Sequence, residues 1–106
     1  MAKAWVHAES SAKRWGGKPE DYIAIHEKMD QTKMAYAEVT HRCVFHSAFG
    51  IFIIEDIFGR TLTNSEGRTV HVRDVAEQHV LEDLGFIPSL SEWLKEMPSQ
   101  PWTAGQ

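Results

Sequence analysis

The sequence has one cysteine and no long apolar run. Cys43 is the only cysteine among 106 residues, which excludes an internal disulfide and favours a reducing compartment. The longest apolar run, Ile51 to Ile54, is far shorter than the roughly 20 residues that span a bilayer. The first ten residues, MAKAWVHAES, are too polar for a secretory signal. We therefore expect a cytoplasmic protein with no membrane partner.

The short motifs of common catalytic classes are also missing. The sequence contains no Gly-rich phosphate loop, Gly-x-Ser-x-Gly, Cys-x-x-Cys or His-Glu-x-x-His motif. Cys43 lies in an apolar stretch, which favours a buried, inert thiol over a nucleophile. A formal charge of −4 argues against a nucleic-acid partner held by bulk charge.

The chain is rich in histidine and tryptophan for its length. It has six histidines and four tryptophans, and 42% of its residues are hydrophobic. This length and composition predict one domain, which we place at residues 1–98, followed by a flexible polar tail at residues 99–106. The histidine content directs attention to metal chemistry.

The clearest predicted helix runs from Asp74 to Gly85. Asp74 and Glu77 have the spacing of a capping box, and Gly85 suits a helix end. His79 and Asp83 are four residues apart and so share one side of the helix, at the edge of its apolar row. This spacing is typical of metal ligands or of an acid–base pair.

A second His-x-x-x-Asp pair, His26 and Asp30, lies in the helix that Pro19 is predicted to open. By itself His26 fits a hydrogen-bonded core histidine as well as a ligand. His7, in a first helix ended by Gly16-Gly17, is interpreted as a surface or partly buried side chain. The repetition of the pair in two helices is what favours a site.

The stretch from His41 to Phe58 is apolar on nearly all sides and is predicted to form the central helix. His41 and His46 point about 140° apart on such a helix, so each could give at most one ligand to a shared site. For His46, a packing role is the alternative. Residues 60–63 and 68–72 flank a tight turn and predict one β-hairpin. The predicted fold is mainly α: a compact bundle of four to five helices with this hairpin.

These patterns favour a metal-binding protein, and more specifically a metal-dependent hydrolase of an unspecified small-molecule substrate. Imidazole and carboxylate ligands suit a divalent transition metal such as Zn, Mn, Fe or Ni. Glu82 is predicted to act as general base or to support a ligand. The predicted ligands are His26, Asp30, His41, His46, His79 and Asp83.

A non-enzymatic interaction module is the alternative hypothesis. It would act as a homodimer or as a phage–host binding protein. The hairpin, Trp5 and Trp102 would supply its contacts, because aromatic side chains are frequent at interfaces.

Several runs of the sequence carry a family resemblance: HAESSAKRWGGKPEDY, IH at 25–26, HR at 41–42, GIF at 50–52, FG at 58–59, TNSEGR, VRDVAEQHVLEDLGFIP and EWL. Across Trp5 to Leu94 the chain resembles a family of small bacterial and phage-borne proteins of unknown function. The resemblance implies a shared domain and no particular activity. A weaker similarity is to the HD-type metal phosphohydrolases, which bind metal through His and Asp on several helices, although the adjacent His-Asp dipeptide of that family is missing here.

Overall fold

A computed structural model describes residues 3–34 and 42–95. Within these ranges the chain forms five α-helices, two short 3₁₀ turns and one two-stranded antiparallel sheet, which confirms the predicted mainly α fold with one hairpin. The helices are α1 (Ala4–Trp15), α2 (Ile23–Asp30), α3 (Ala48–Phe58), α4 (Val72–Leu84) and α5 (Leu90–Leu94). The 3₁₀ turns are Pro19–Asp21 and Gln31–Met34, on either side of α2. The strands are β1 (Thr61–Thr63) and β2 (Thr69–His71), with Leu62 opposite Val70.

The core forms where α4 packs against α1, α2 and α3. Each helix contributes apolar side chains along one side, so three helices pack closely around α4. The buried apolar residues are Ala8, Trp15, Tyr22, Ile25, Met29, Ile51, Ile54, Val70, Val72, Val75, Ala76 and Val80. Fully buried histidines lie beside this apolar cluster, and they form the candidate site described below.

The predicted helix from His41 to Phe58 is wrong at its start, because α3 begins at Ala48. Ser47 caps the helix by accepting a hydrogen bond from the Gly50 amide at 3.0 Å. A Cβ at Gly50 would collide with the backbone of residues 44–45, so this glycine allows a close approach of the chain rather than a bend. His46 therefore precedes the helix, and His41 lies outside the described residues.

The helix that carries His79 also begins earlier than predicted. It starts at Val72, directly after β2, and the predicted Asp74–Glu77 capping box does not form, since His71 occupies the N-cap position without a side-chain cap. The Val72 amide donates instead to the Arg60 carbonyl at 2.9 Å, which joins the helix to the hairpin. Gly85 ends the helix in the left-handed conformation, as predicted.

The predicted tail and the domain boundary before it lie beyond α5, the last described helix. Ser89 and Glu92 form a capping box at the start of α5. The predicted tail at residues 99–106, and with it Trp102, lies outside the described residues, so the domain boundary stays a prediction. Among the helices of residues 3–34 and 42–95, none is both long and apolar enough to cross a membrane.

Asn64 fastens the hairpin to the end of α1. Its amide nitrogen donates to the Trp15 carbonyl and to the Tyr22 hydroxyl, each at 3.1 Å. Its side-chain oxygen accepts from the amides of Glu66 and Arg68 at 2.9 and 3.0 Å. Because Asn64 is buried, water could not replace its hydrogen bonds, and its loss would leave several of these partners unsatisfied.

We expect Asn64→Ala to lower the free energy of unfolding by about 2–3 kcal/mol, the usual cost of leaving buried polar groups unsatisfied. Thr69→Ala, on an exposed position of β2, is the matched control and should change it by at most about 0.5 kcal/mol. Urea unfolding followed by tryptophan fluorescence measures both. Equal, small effects of the two variants would show that Asn64 does not fasten the hairpin.

Candidate metal centre

Four histidine rings meet in the middle of the molecule. His7 comes from α1, His26 from α2, His46 from the turn before α3 and His79 from α4, and all four are fully buried. The ring of His79 stacks on His7 and on His26, with centroids 3.9 and 5.1 Å away, and meets His46 edge-on at 4.9 Å. His79 is therefore the centre of the group.

Two aspartates complete the group on one side of His79. Its Nε2 lies 3.1 Å from Asp30 Oδ1 and 3.3 Å from Asp83 Oδ2. The Nε2 of His46 lies 2.9 Å from the same Asp83 oxygen and 3.7 Å from the same Asp30 oxygen. One donor atom from each of these four residues lies within 4.8 Å of the others, so the group could hold a metal ion. We call Asp30, His46, His79 and Asp83 the four-residue cluster.

Local structure explains why these side chains point to one place. His79 and Asp83 are one turn apart on α4, and Asp30 is the last residue of α2, which packs against α4. His46 is held in its turn by two hydrogen bonds, from its own amide to the Arg42 carbonyl at 2.7 Å and from Trp93 Nε1 to its carbonyl at 2.8 Å.

The amide of Gln78 fixes the direction of a hydrogen-bond chain behind the cluster. Its nitrogen lies 3.1 Å from the His7 carbonyl and 2.8 Å from Glu82 Oε1, and both of these are acceptors, so this atom must be the NH₂ group. Its oxygen then accepts from the Ser11 hydroxyl. The single hydroxyl proton of Ser11 is thus already donated, to Gln78 or to the His7 carbonyl at 3.1 Å.

This direction continues through His26 to His79. Ser11 must accept from His26 Nε2–H at 2.8 Å, since it has no second proton to give. Neutral His26 then has a bare Nδ1, which accepts from His79 Nδ1–H at 2.8 Å. With its Nδ1 protonated, His79 turns Nε2 toward the oxygens of Asp30 and Asp83. A bare nitrogen there would face two carboxylates, so a proton or a metal cation has to occupy that position.

The pKa shifts agree with this assignment. Burial, together with the neighbouring His79 and His7, lowers the pKa of His26 to about 2, so this ring stays neutral. Burial lowers the pKa of His79 too, but the hydrogen bonds to Asp30 and Asp83 outweigh it and raise that pKa above its ordinary value. Burial opposes ionisation of Asp83, yet hydrogen bonds from three histidines hold its pKa well below the usual range. Burial lowers the pKa of His46.

His7 and Glu82 support Asp83 from the other side. His7 places Nδ1 2.7 Å from Glu82 Oε1 and Nε2 3.1 Å from Asp83 Oδ1. Glu82 also accepts from the hydroxyl of Ser10 and from the amide of Gln78. Burial raises the pKa of Glu82, but these hydrogen bonds outweigh it and lower that pKa.

The structure brings three of the four residues of the two His-x-x-x-Asp pairs into a group that could hold a metal ion. His79, Asp83 and Asp30 lie together with His46, while His26 lies one hydrogen bond behind His79 and not at the four-residue cluster. His41 falls outside the described residues, so its predicted role as a ligand stays a prediction.

Sequence reasoning missed three members of the network: His7, Ser11 and Gln78. The interpretation of His7 as a surface or partly buried side chain is wrong, because the residue is fully buried. The spacing of four between His7 and Ser11 puts both on one side of α1, and this was the signal available in the sequence. Nothing in the sequence indicated that this side of α1 faces α4.

Comparison with known proteins identifies a family for the chain but no activity. No curated protein and no solved structure matches it. One family does match, over residues 2–103, and it is described as "Domain of unknown function (DUF6915)". This agrees with the resemblance to an uncharacterised family that the sequence motifs carry. Since the match covers nearly the whole chain, the protein belongs to this family of unknown function, DUF6915.

Proposed function

We propose that the protein binds one divalent transition metal, such as Zn, Mn, Fe or Ni, through the four-residue cluster. The observation that carries the proposal is the convergence of two imidazole nitrogens and two carboxylate oxygens within 4.8 Å. Nitrogen and oxygen donors in this ratio suit these metals. Such a metal would also satisfy Nε2 of His79, which the hydrogen-bond chain turns toward the carboxylates.

Charge supports the same assignment. Asp83 is almost fully buried and Asp30 is only 17% exposed at its side chain, so two negative charges lie close together with little solvent. A divalent cation balances both carboxylates at once. A proton on His79 balances one of them, and it is the species that the metal would displace.

The residues behind the cluster would hold its ligands in place. His26 receives the Nδ1 proton of His79 and passes the hydrogen bond on to Ser11, which fixes the ring and its tautomer. His26 is therefore assigned a supporting role rather than a place in the coordination shell. His7 supports Asp83 in the same way, and Glu82 orients His7.

A metal-dependent hydrolase is the activity that this centre suits best. A metal of this class polarises a substrate oxygen and lowers the pKa of water. Four protein ligands leave room for a further ligand in metals that take five or six. Both oxygens of Glu82 are already engaged by Ser10, His7 and Gln78, so we assign Glu82 to ligand support and not to proton transfer.

We expect the purified protein to retain about one metal ion per chain, and His79→Gln or Asp30→Asn to abolish retention, because each removes a donor atom. His26→Gln should weaken binding by about 10–100-fold, the usual effect of losing a supporting partner. Elemental analysis after desalting, with and without prior chelator, measures occupancy.

His71→Gln is the matched control, since His71 is exposed on β2 and is not part of the four-residue cluster. It should keep full occupancy. The ligand assignment is wrong if His79→Gln stays fully loaded, or if the wild-type protein takes up no transition metal when these ions are supplied.

Metal binding should release close to one proton at about pH 6, where His79 is mostly protonated because its pKa lies above the ordinary value. The raised pKa of His79 keeps its Nε2 protonated below that pKa, whereas the lowered pKa values of His26 and His46 leave both rings neutral. In the metal-free protein His79 stabilises the fold below about pH 6.5, its unfolded pKa, and this contribution is lost as pH rises through the folded pKa.

The increase in Tm on metal binding should therefore grow from about pH 6 to pH 8, because fewer protons compete. Calorimetry in two buffers of different ionisation enthalpy counts the released protons. Equal binding enthalpies in the two buffers at about pH 6, with metal bound, would mean that no proton is released and would contradict the protonation state assigned to His79.

The second candidate function, a homodimeric interaction module, is favoured by the outer side of α3. Phe49 and Phe52 are 51% and 60% exposed and lie three residues apart, so they form one apolar surface. Trp5 is 46% exposed on α1.

If this surface joins two copies, light scattering after size exclusion should give the mass of a dimer, and Phe52→Ser should give a monomer that keeps its metal. Phe86→Ser, which removes an exposed aromatic side chain outside α3, is the control and should leave the dimer intact. A wild-type monomer at all concentrations tested would remove this candidate.

A further inference from the structure

A groove of about 920 Å³ opens beside the candidate metal centre. It runs along α2, between the start of α1 and the end of α3, and its volume is typical of a small-molecule site. Asp30 lines it, and the Asp30 side chain is 17% exposed, whereas those of His46, His79 and Asp83 are at most 1% exposed. A molecule in this groove would therefore reach the cluster at Asp30.

The groove carries more positive charge than the rest of the chain. Lys3, Lys28 and Lys33 line it, against Glu27 and Asp30, in a protein whose formal charge is −4. Once Asp30 binds a metal, its charge is balanced and Glu27 is the one remaining acid among these lining residues. The groove then favours an anion.

The start of α1 adds to this preference. Lys3 is the N-cap residue of a helix that has no side-chain cap and no acidic residue in its first turn. Its first amide groups present the positive end of the helix dipole at the groove, where an anion is stabilised.

A buried arginine lies beside the cluster as well. Arg42 is 7% exposed, and its Nη2 is 3.8 Å from Asp83 Oδ2. Within the described residues its Nε has no hydrogen-bond partner. Arg42 is not among the residues that line the groove, so its guanidinium adds positive charge beside the cluster without contacting a molecule in the groove.

The other lining side chains are apolar. Ala4, Ala24 and Phe58 form part of the wall of the groove. Met34, which is 88% exposed, also lines it. An anion alone would leave these groups in water, whereas a ligand with both a charged and an apolar part would cover them.

We propose that this groove binds a phosphorylated small molecule with an apolar substituent. Its phosphate would lie between the lysines and the metal, and its substituent would lie against the apolar wall. This inference rests on the proposed metal function. The metal would balance the negative charge of Asp30, and it would give the phosphate a second positive group to bind besides the lysines.

The test uses phenyl phosphate as probe, with phenol and inorganic phosphate as comparisons, and measures each Kd by calorimetry on metal-loaded protein. Phenyl phosphate should bind more tightly than either comparison. The double variant Lys28→Gln/Lys33→Gln should weaken it about fivefold, since each exposed charge contributes modestly. Metal occupancy, measured on the same samples, should stay unchanged.

Lys13→Gln/Lys18→Gln is the matched control, because it removes the same charge from exposed lysines that do not line the groove. It should change the Kd by less than about twofold. If both double variants weaken phenyl phosphate equally, or neither does while metal stays bound, the groove assignment is overturned.

Failure of the metal proposal has a different signature. A protein that retains no metal refutes the proposed function, yet the two double variants can still be compared on that metal-free protein. Weakening confined to the Lys28/Lys33 variant would then support an anion groove independent of metal, and would overturn the arrangement in which phosphate contacts the metal.

Discussion

Asp30 and Asp83 bring two carboxylate oxygens within 3.3 Å of one nitrogen, Nε2 of His79. One oxygen of each carboxylate lies within 4.8 Å of the other. Two unit charges at such a distance repel by about 3 kcal/mol at an effective dielectric constant near 20, a large fraction of the stability of a small domain. A cation between the two carboxylates offsets this repulsion, and the Arg42 guanidinium, 3.8 Å from Asp83, adds to that effect. Whether that cation is a proton or a metal, the position of each surrounding polar group follows from it.

The polar network is the consequence of that requirement. A protonated or metal-bound His79 needs an acceptor at Nδ1, and His26 supplies it only if its own proton is on Nε2. That tautomer requires Ser11 to accept, which in turn requires the Gln78 oxygen or a carbonyl to receive the hydroxyl proton. Each group fixes the direction of the next hydrogen bond, from Gln78 through Ser11 and His26 to His79. Fully satisfied networks of this kind make a buried polar centre tolerable.

The fold could be predicted from the sequence where the signal was local. The hairpin turn, the Gly85 helix end and the Ser89–Glu92 capping box depend on residues within a few positions of one another, and all three are observed. The start of α3 depends instead on contacts with the preceding turn, where Gly50 packs against residues 44–45. The start of α4 depends on the Arg60 carbonyl in the hairpin. Neither contact could be predicted from the pattern of neighbouring residues.

The same His-x-x-x-Asp spacing leads to two different outcomes in α2 and α4. In α4 both His79 and Asp83 reach the cluster, whereas in α2 Asp30 reaches it and His26 lies behind His79. Spacing fixes only which side of a helix two residues share, and the depth at which each one lies depends on how the helices cross. The two pairs meet near the Asp30 end of α2, so His26, one turn earlier, contacts the back of the His79 ring. A pair of identical motifs thus gives one helix whose histidine lies in the four-residue cluster and one whose histidine hydrogen-bonds to that ring from behind, and the crossing of the helices decides between them.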